Sequence, residues 1–287
     1  MTWCLVGSEM CIRDSSSDGP YRDLPAYDDI IQAASGMASY QEAYSDQPSY
    51  TSGATADKAT GLMLALSVVS SLFKRNKDNK DLEVEVPMFE TMVDFTLVEH
   101  LYGYNFLPPK DEPVYPRQSS PNRKPYETKD GFIAVLPYND EQWLRFLKFI
   151  KKEHLIKTKK FSTLENRNKN VDELYSLLVK ELKKEKTNFW IKKLREIDIP
   201  SMKINKPKDL FIDEHLKKTN FFKTYKHSTE GDLMYPRLPV YFNNERDNES
   251  KFEAPNLGNK TKEILIDLGY DKNEIENLRK EKVIFFE

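Results

Sequence analysis

Between residues 105 and 124 the chain carries five prolines, in the stretch "FLPPKDEPVYPRQSSPNRK" (Phe106–Lys124). Proline has no backbone N–H and a fixed φ, and it pushes the residue before it out of the helical region. Neither a helix nor a central strand can run through such a stretch, so the chain must fold as something before it and something after it. The stretch itself reads as an extended linker. With 287 residues in all, either side is long enough for a modest domain. The organisation expected is an α/β segment over 16–104, a linker over 105–124, a mixed α+β module over 125–235, and a tail over 236–287. The tail holds a polar linker and two closing helices.

Before the linker, "AYDDIIQAASGMASYQ" spaces Ile30, Ile31, Ala34 and Met37 as a helix does, with acids in its first turn. A polar loop follows, and then a helix from about Lys58 to Lys74. Its apolar run, Gly61 to Phe73, is short for a bilayer and carries serines, so a buried helix is expected. "DLEVEVP" alternates Leu82, Val84 and Val86 against acids, the pattern of a short half-buried strand. Pro87 suits the first turn of the helix "MFETMVDFTLVEHLYGY". After the linker, "DGFIAVLPY" reads as turn and strand, and "DEQWLRFLKFIKK" as a helix N-capped by Asp140. "NVDELYSLLVKELKKE" and "TNFWIKKLREI" are amphipathic helices, "DIPSMKI" a strand, and "KPKDLFIDEHL" a helix with Pro207 near its start. "FFKTYKH" and "LPVYF" read as strands, and helices around "KTKEILIDLGY" and "KNEIENLRKE" close the chain.

The 44 basic and 46 acidic residues leave a net charge of −2. That gives no global pull toward nucleic acid or an anionic membrane, and neither partner is expected. The first fifteen residues, "MTWCLVGSEMCIRDS", lack a basic segment, and Glu9, Arg13 and Asp14 interrupt any signal core. "LVGSEMCIRDS" resembles the in-frame translation of a transposon-type sequencing adapter, so Met1 to about Ser15 are set aside from the fold. Both cysteines, Cys4 and Cys11, lie there. The remainder therefore has no thiolate chemistry and fits a cytosolic protein.

The four histidines, His100, His154, His215 and His227, show no paired spacing, and no metal is expected. His100 reads as a packed helix residue. P-loop, dinucleotide-binding and nucleophile-elbow glycine patterns are absent. The basic run Lys148–Lys160 is the solvated side of a helix whose other face carries Trp143, Phe146, Leu147 and Ile150. What remains is Asp57, a lone acid where the apolar helix begins. By itself it reads as a cap or first-turn acid at the positive end of the dipole.

"GPYRDLPAYDDIIQAASG", "ADKATGLMLALSVVSSLFKR" and "LEVEVPMFETMVDF", in this order and spacing, resemble the class III CoA-transferase family, of formyl-CoA and carnitine CoA-transferase type (CaiB/BaiF-like). "RKPYETKDGFIAVLPYNDEQW", "DIPSMKINKPKDLFIDEHL" and "APNLGNKTKEILIDLGY" extend the likeness to nearly the whole of Asp18–Phe286. The resemblance implies part of a Rossmann-like large domain, a small α+β domain, closing helices that return to the large domain, and two chains interlocked as rings. It also implies that the family's N-terminal third, which carries most of the CoA-binding surface, does not form part of this chain. The chain would then be a fragment, active or not.

The resemblance makes Asp57 the nucleophile. The expected reaction moves CoA between an acyl-CoA thioester and a carboxylic acid through an aspartyl covalent intermediate, with the thioester as substrate and no permanently bound cofactor. A carboxylate is ionised at neutral pH and needs no adjacent base, and a helix N-terminus holds it oriented. The same resemblance places Pro25, Ala26, Tyr27 and Asp28 along the CoA site, with Met88 near it. The α-methylacyl-CoA racemases of this family are the alternative. They have a histidine at the position of Tyr27, and a tyrosine with a reference pKa of about 10 exchanges protons poorly near neutrality. Pro25 replaces the lysine of formyl-CoA transferases, and "RQSSP" (Arg117–Pro121) stands where those enzymes have a glycine-rich loop. Both departures point away from a formyl/oxalate pair.

Overall fold

The computed structural model describes residues 10–245 and 254–286. Cys4 and the central part of the polar linker before the closing helices lie outside the described residues. The chain divides between Ile204 and Asn205 into two compact units.

The first unit opens with β1 (Met10–Arg13), α1 (Asp28–Ala34), α2 (Met37–Tyr40), α3 (Thr55–Asp78), β2 (Val84–Pro87) and α4 (Met88–His100). β1 and β2 pair in parallel, Met10 opposite Val84 and Arg13 opposite Pro87. The stretch set aside as adapter-derived thus supplies a strand. The backbone just after it is anchored too: the Phe89 N–H donates to the Asp14 carbonyl at 3.0 Å. The Ala26 N–H donates to Asp14 Oδ2 at 2.9 Å, and the Ser17 N–H and hydroxyl both donate to the Glu85 carboxylate at 2.7 Å. Pro87 closes β2 and its N-cap position opens α4, so strand passes into helix with no intervening loop. The helix expected over Ala26–Gln41 is broken at Gly36, whose φ of +82° lies in the left-handed region that a side chain disfavours.

The expectation of a buried apolar helix is corrected by α3. Only Ala56 and Thr60, in its first two turns, are buried. Leu66 is 63% and Phe73 75% exposed. The reason is length: 24 residues at 1.5 Å each span roughly 36 Å, whereas the 7-residue α1 and 13-residue α4 reach only about 10 and 20 Å. An 18-residue window of α3 has a mean hydropathy of 1.3, in the range of membrane-crossing helices by length and composition. The buried cluster of this half is small: Ile31, Ala56, Met88 and Met92, with Ala26, Met37, Ala59 and Phe89 packed against it.

The second half of the unit is β3 (Tyr126–Thr128), β4 (Gly131–Val135), α5 (Asp140–Phe149), α6 (Leu164–Lys169), α7 (Val171–Leu182), α8 (Thr187–Glu196) and β5 (Ser201–Lys203). The strands form one antiparallel sheet in the order β3-β4-β5. Its inner face and α5, α7 and α8 enclose a continuous core around Ile133, Phe146, Leu174, Leu178, Leu182, Trp190 and Leu194. Local chemistry agrees with the packing. The N-cap of α5 is Asn139 rather than Asp140: its side chain accepts from the Gln142 N–H while Gln142 reaches back to the cap, closing a capping box. Asp140 sits one residue inside the helix and instead forms an ion pair with the buried Arg167. The Trp190 indole donates to the Leu182 carbonyl at 2.8 Å, so this core ring leaves no orphan donor. Asp130 receives both the N–H and hydroxyl of Thr187, bonds that hold its carboxyl below the usual carboxylate range.

The proline-rich stretch between these halves is less free than an extended linker. The Tyr40 hydroxyl donates to the Pro113 carbonyl at 2.9 Å, the Tyr44 hydroxyl donates to the Gln118 carbonyl, and the Tyr115 N–H donates to Nδ1 of His100 at 3.2 Å. On its other side Ser120 and Asn122 donate to Asp172 at 2.7 and 2.9 Å. Prolines fix φ without hydrogen bonds of their own, and tyrosine and serine side chains supply the missing ties.

The second unit contains α9 (Glu214–Lys218), β6 (Phe222–His227), β7 (Gly231–Pro236), α10 (Thr261–Asp267) and α11 (Lys272–Lys280). β6 and β7 form a hairpin, with Phe222 opposite Pro236 and His227 opposite Gly231. The strand expected at "LPVYF" is absent; "GDLMYP" takes its place. The reason is the turn. His227 Nδ1 accepts the N–H groups of Thr229 and Glu230 at 3.2 Å, and Gly231 takes a φ of +79°, so the chain folds back at once. The first half of "KPKDLFIDEHL" is a 3-10 helix, Pro207–Ile212, and α9 follows it.

Candidate active site

Asp57 is the third residue of α3. Gly53, at φ +89°, turns the chain immediately before the helix, and Ala54 at the N-cap has no side chain able to cap. The cap comes from another helix. The Asp28 carboxylate, in the first turn of α1, accepts the Asp57 N–H on Oδ1 at 3.0 Å and the Gln32 amide on Oδ2 at 2.6 Å. Gln32 is fully buried, and its Oε1 accepts the N–H and hydroxyl of Thr51 at 2.9 and 3.0 Å. The Thr51 hydroxyl in turn meets the hydroxyl of Thr55, the first residue of α3, at 2.8 Å. One side-chain chain thus ties α1, the loop before α3 and the first turn of α3 together.

Its effect is to free Asp57. A first-turn acid commonly spends its carboxylate on backbone donors. Here Asp28 takes the amide, and the Asp57 carboxylate projects from an exposed position at the positive end of a 24-residue helix. The neighbour on its N-terminal side, Ala56, is 0% exposed and packed with Ile31, Met88 and Met92, so the backbone carrying Asp57 is clamped from beneath. A nucleophile needs this pairing of a fixed backbone and an open side chain.

The other residues implicated by resemblance fall around this point unequally. Asp28 bonds the Asp57 backbone directly. Met88 is buried beneath Ala56, and Ala26 packs against the same cluster. Tyr27 stands at the N-cap of α1, beside Asp28, with 83% of its surface exposed. Pro25 is also exposed. Sequence reasoning missed Gln32, Thr51 and Thr55. The signal was present for one of them: Asp28 and Gln32 stand four apart on a helix, a spacing at which such pairs bond. Thr51 lies in an irregular loop with no periodicity to read.

At the C-terminal end of α4, His100 is buried and stacked on Tyr40, with ring centroids 3.9 Å apart. Burial lowers its pKa from the usual histidine value, with Glu99 opposing in part. It is a packed residue, as its place in the helix predicts. Among the described residues, no cluster of His, Cys, Asp or Glu could hold a metal ion.

The chain as a whole is similar to known proteins. (R)-2-hydroxy-4-methylpentanoate CoA-transferase of Clostridioides difficile is 29% identical over 276 residues, 93% of this chain and 67% of that protein. Cinnamoyl-CoA:phenyllactate CoA-transferase of Clostridium sporogenes is 27% identical over 277 residues, 93% of this chain and 66% of the relative. The chain therefore spans about two thirds of the length of these relatives. The crystal structure of a CAIB/BAIF family protein from Brucella suis superposes with a TM-score of 0.67 at 22% identity, covering 91% of this chain and 68% of that one. The general model of CoA-transferase family III matches residues 15–261, a span that takes in the Asp28–Gln32–Thr51 tie, Asp57 and the antiparallel-sheet core alike. The chain belongs to CoA-transferase family III.

Proposed function

We propose that the protein is an acyl-CoA:carboxylate CoA-transferase with Asp57 as the nucleophile. The observation that carries the reading is the geometry of the first turn of α3: Asp28 takes the backbone amide and leaves the Asp57 carboxylate open. The Asp57 carboxylate attacks the thioester carbonyl, the C–S bond breaks, and CoA leaves as thiolate, giving an acyl-aspartyl anhydride. The thiolate then attacks the aspartyl carbonyl of that anhydride. Donor acid departs as carboxylate and an aspartyl-CoA thioester remains. The acceptor carboxylate attacks this thioester and the thiolate leaves again. Its return to the acceptor acyl group yields the new acyl-CoA and regenerates Asp57. Every step exchanges one leaving group for one nucleophile, so no oxidant or external base enters.

Pro25, Ala26, Tyr27, Asp28 and Met88 form the wall along which CoA lies. Support comes from the Asp28 bond to the Asp57 amide, from the packing of Ala26 and Met88 in the cluster with Ala56, and from the exposure of the Tyr27 ring. The acceptor is a 2-hydroxy acid with a branched or aryl side chain. That preference follows the names of the two CoA-transferases described above, and the departures at Pro25 and Arg117–Pro121 agree with it. The large-domain half is Rossmann-like, and the working enzyme is an interlocked homodimer that covers the apolar length of α3. The transferase reading is favoured over the racemase by the residue type at position 27, a tyrosine where the racemases carry the histidine of a two-base mechanism.

The test is CoA exchange by the full chain with acetyl-CoA and other acyl-CoA donors against 2-hydroxy-4-methylpentanoate, phenyllactate and glutarate. Transfer that vanishes in Asp57→Ala and persists in Tyr27→Phe is expected. Solvent deuterium entering Cα of a branched acyl-CoA without CoA exchange would overturn the reading in favour of the racemase.

A further inference from the structure

A second polar feature lies apart from Asp57. α5, α6, α7 and the stretch Tyr115–Arg117 enclose a cavity of about 120 Å³. That is well above the roughly 10–15 Å³ needed for one water on the same measure. None of Asp57, Asp28, Tyr27 or Met88 lines it. Trp143, Leu164, Val171 and Leu174 give it an apolar side, and Arg117 and Arg167 give it two guanidinium groups.

The two arginines are in different electrical states. Arg167 is 3% exposed. Its terminal nitrogens are used, one on the Phe161 carbonyl at 3.0 Å and one on Asp140, which neutralises it. Its Nε is buried and has no hydrogen-bond partner. Arg117 is half-buried, donates Nε to the Tyr175 hydroxyl at 3.2 Å, and lies over the Tyr138 ring at 4.7 Å. Among the described residues no carboxylate forms an ion pair with it; its polar neighbours are tyrosines. The cavity therefore holds one uncompensated positive charge, that of Arg117, beside an apolar wall.

We infer that this cavity binds a small organic carboxylate, its oxygens on the Arg117 guanidinium and its hydrocarbon tail against Trp143 and Leu174. An arginine fork matches the two oxygens of a carboxylate. One monoanion brings the lining to neutrality. The apolar wall favours an alkyl carboxylate over sulfate or chloride, which would leave it unfilled. The site does not depend on the transfer reaction proposed for Asp57, because it is read out by binding of a free acid.

Titration calorimetry on the full chain with isovalerate, its uncharged isostere isovaleramide, and sulfate tests the assignment. Saturable isovalerate binding is expected, with the amide and sulfate each at least about tenfold weaker. Arg117→Gln weakens isovalerate at least about tenfold, whereas Asp57→Asn leaves it within about twofold. No binding, equal binding of the amide or sulfate, or unchanged binding by Arg117→Gln overturns the inference. Loss in Asp57→Asn overturns it as well, by placing the acid at the nucleophile. If Arg117→Gln loses its circular-dichroism signature, Leu164→Trp serves instead. It fills the cavity from an exposed position, and retained binding there refutes the site.

Discussion

The two halves of the first unit bury their apolar residues by different means. Around the antiparallel sheet, β4 and helices α5, α7 and α8 surround one another, and Phe146, Leu147, Leu178, Leu182 and Leu194 are all 0% exposed. Around Asp57, four buried residues form the cluster, and α3 runs on past every partner it has. The first arrangement is complete in itself. The second keeps only what fixes the backbone of Asp57 and leaves the remaining apolar length of α3 for something else to cover. Stability and chemistry are thus located in different places, as expected when a reactive side chain must stay open.

The sharpest way to break this contrast is to remove the proposed nucleophile. Asp57→Ala is expected to lower CoA transfer roughly 10³-fold or more, as removal of a covalent nucleophile does, with an unchanged urea midpoint. A large stability loss would show that the residue serves the fold. Leu178→Ala, in the enclosed core, should cost about 2–5 kcal/mol in urea unfolding. Leu66→Ser, on the exposed length of α3, should stay within about 0.5 kcal/mol in dilute monomer and lower any dimer fraction seen by sedimentation. Gln32→Leu removes a fully buried amide and strands Asp28 and Thr51. A loss of about 1–3 kcal/mol is expected, with a rise in hydrogen exchange at the first turn of α3. The smallest effect concerns His100. Burial lowers its folded pKa, so between that value and about 6.5 the unfolded chain binds more protons, and stability rises with pH there. Thermal melts should show a modest fall from pH 7.5 to 5.5, and His100→Gln should flatten it.

Much of this was legible in the sequence, for identifiable reasons. The amphipathic helices at Val171–Leu182 and Thr187–Glu196 announce themselves because the 3.6-residue stripe and the packing coincide. The Pro87 junction and the hairpin strand at Phe222–His227 were readable from single residues and alternation. The exposure of α3 was not, because hydropathy reports what a helix could bury and not whether a partner is long enough to bury it. The β3 strand escaped because three residues carry too little pattern. At the candidate site, Asp57 was singled out only through resemblance, since its local context is that of any first-turn acid. Gln32 was hidden because a glutamine in a helix usually faces water, and only the fold brings Thr51 to its oxygen. The ties of the proline-rich stretch were equally invisible, being made by tyrosines distant in sequence.

The uncovered length of α3 also governs how the protein behaves in the tube. Leu62, Leu66, Val69 and Phe73 lie open along one rod, and apolar area of that kind drives association without further specificity. Melting temperature and sedimentation coefficient should therefore drift with protein concentration, since self-association stabilises the folded state by mass action. Excluded salts such as sulfate should push the drift further. A dilution series is then a measurement in its own right, and a Tm quoted at a single concentration describes one point on a curve.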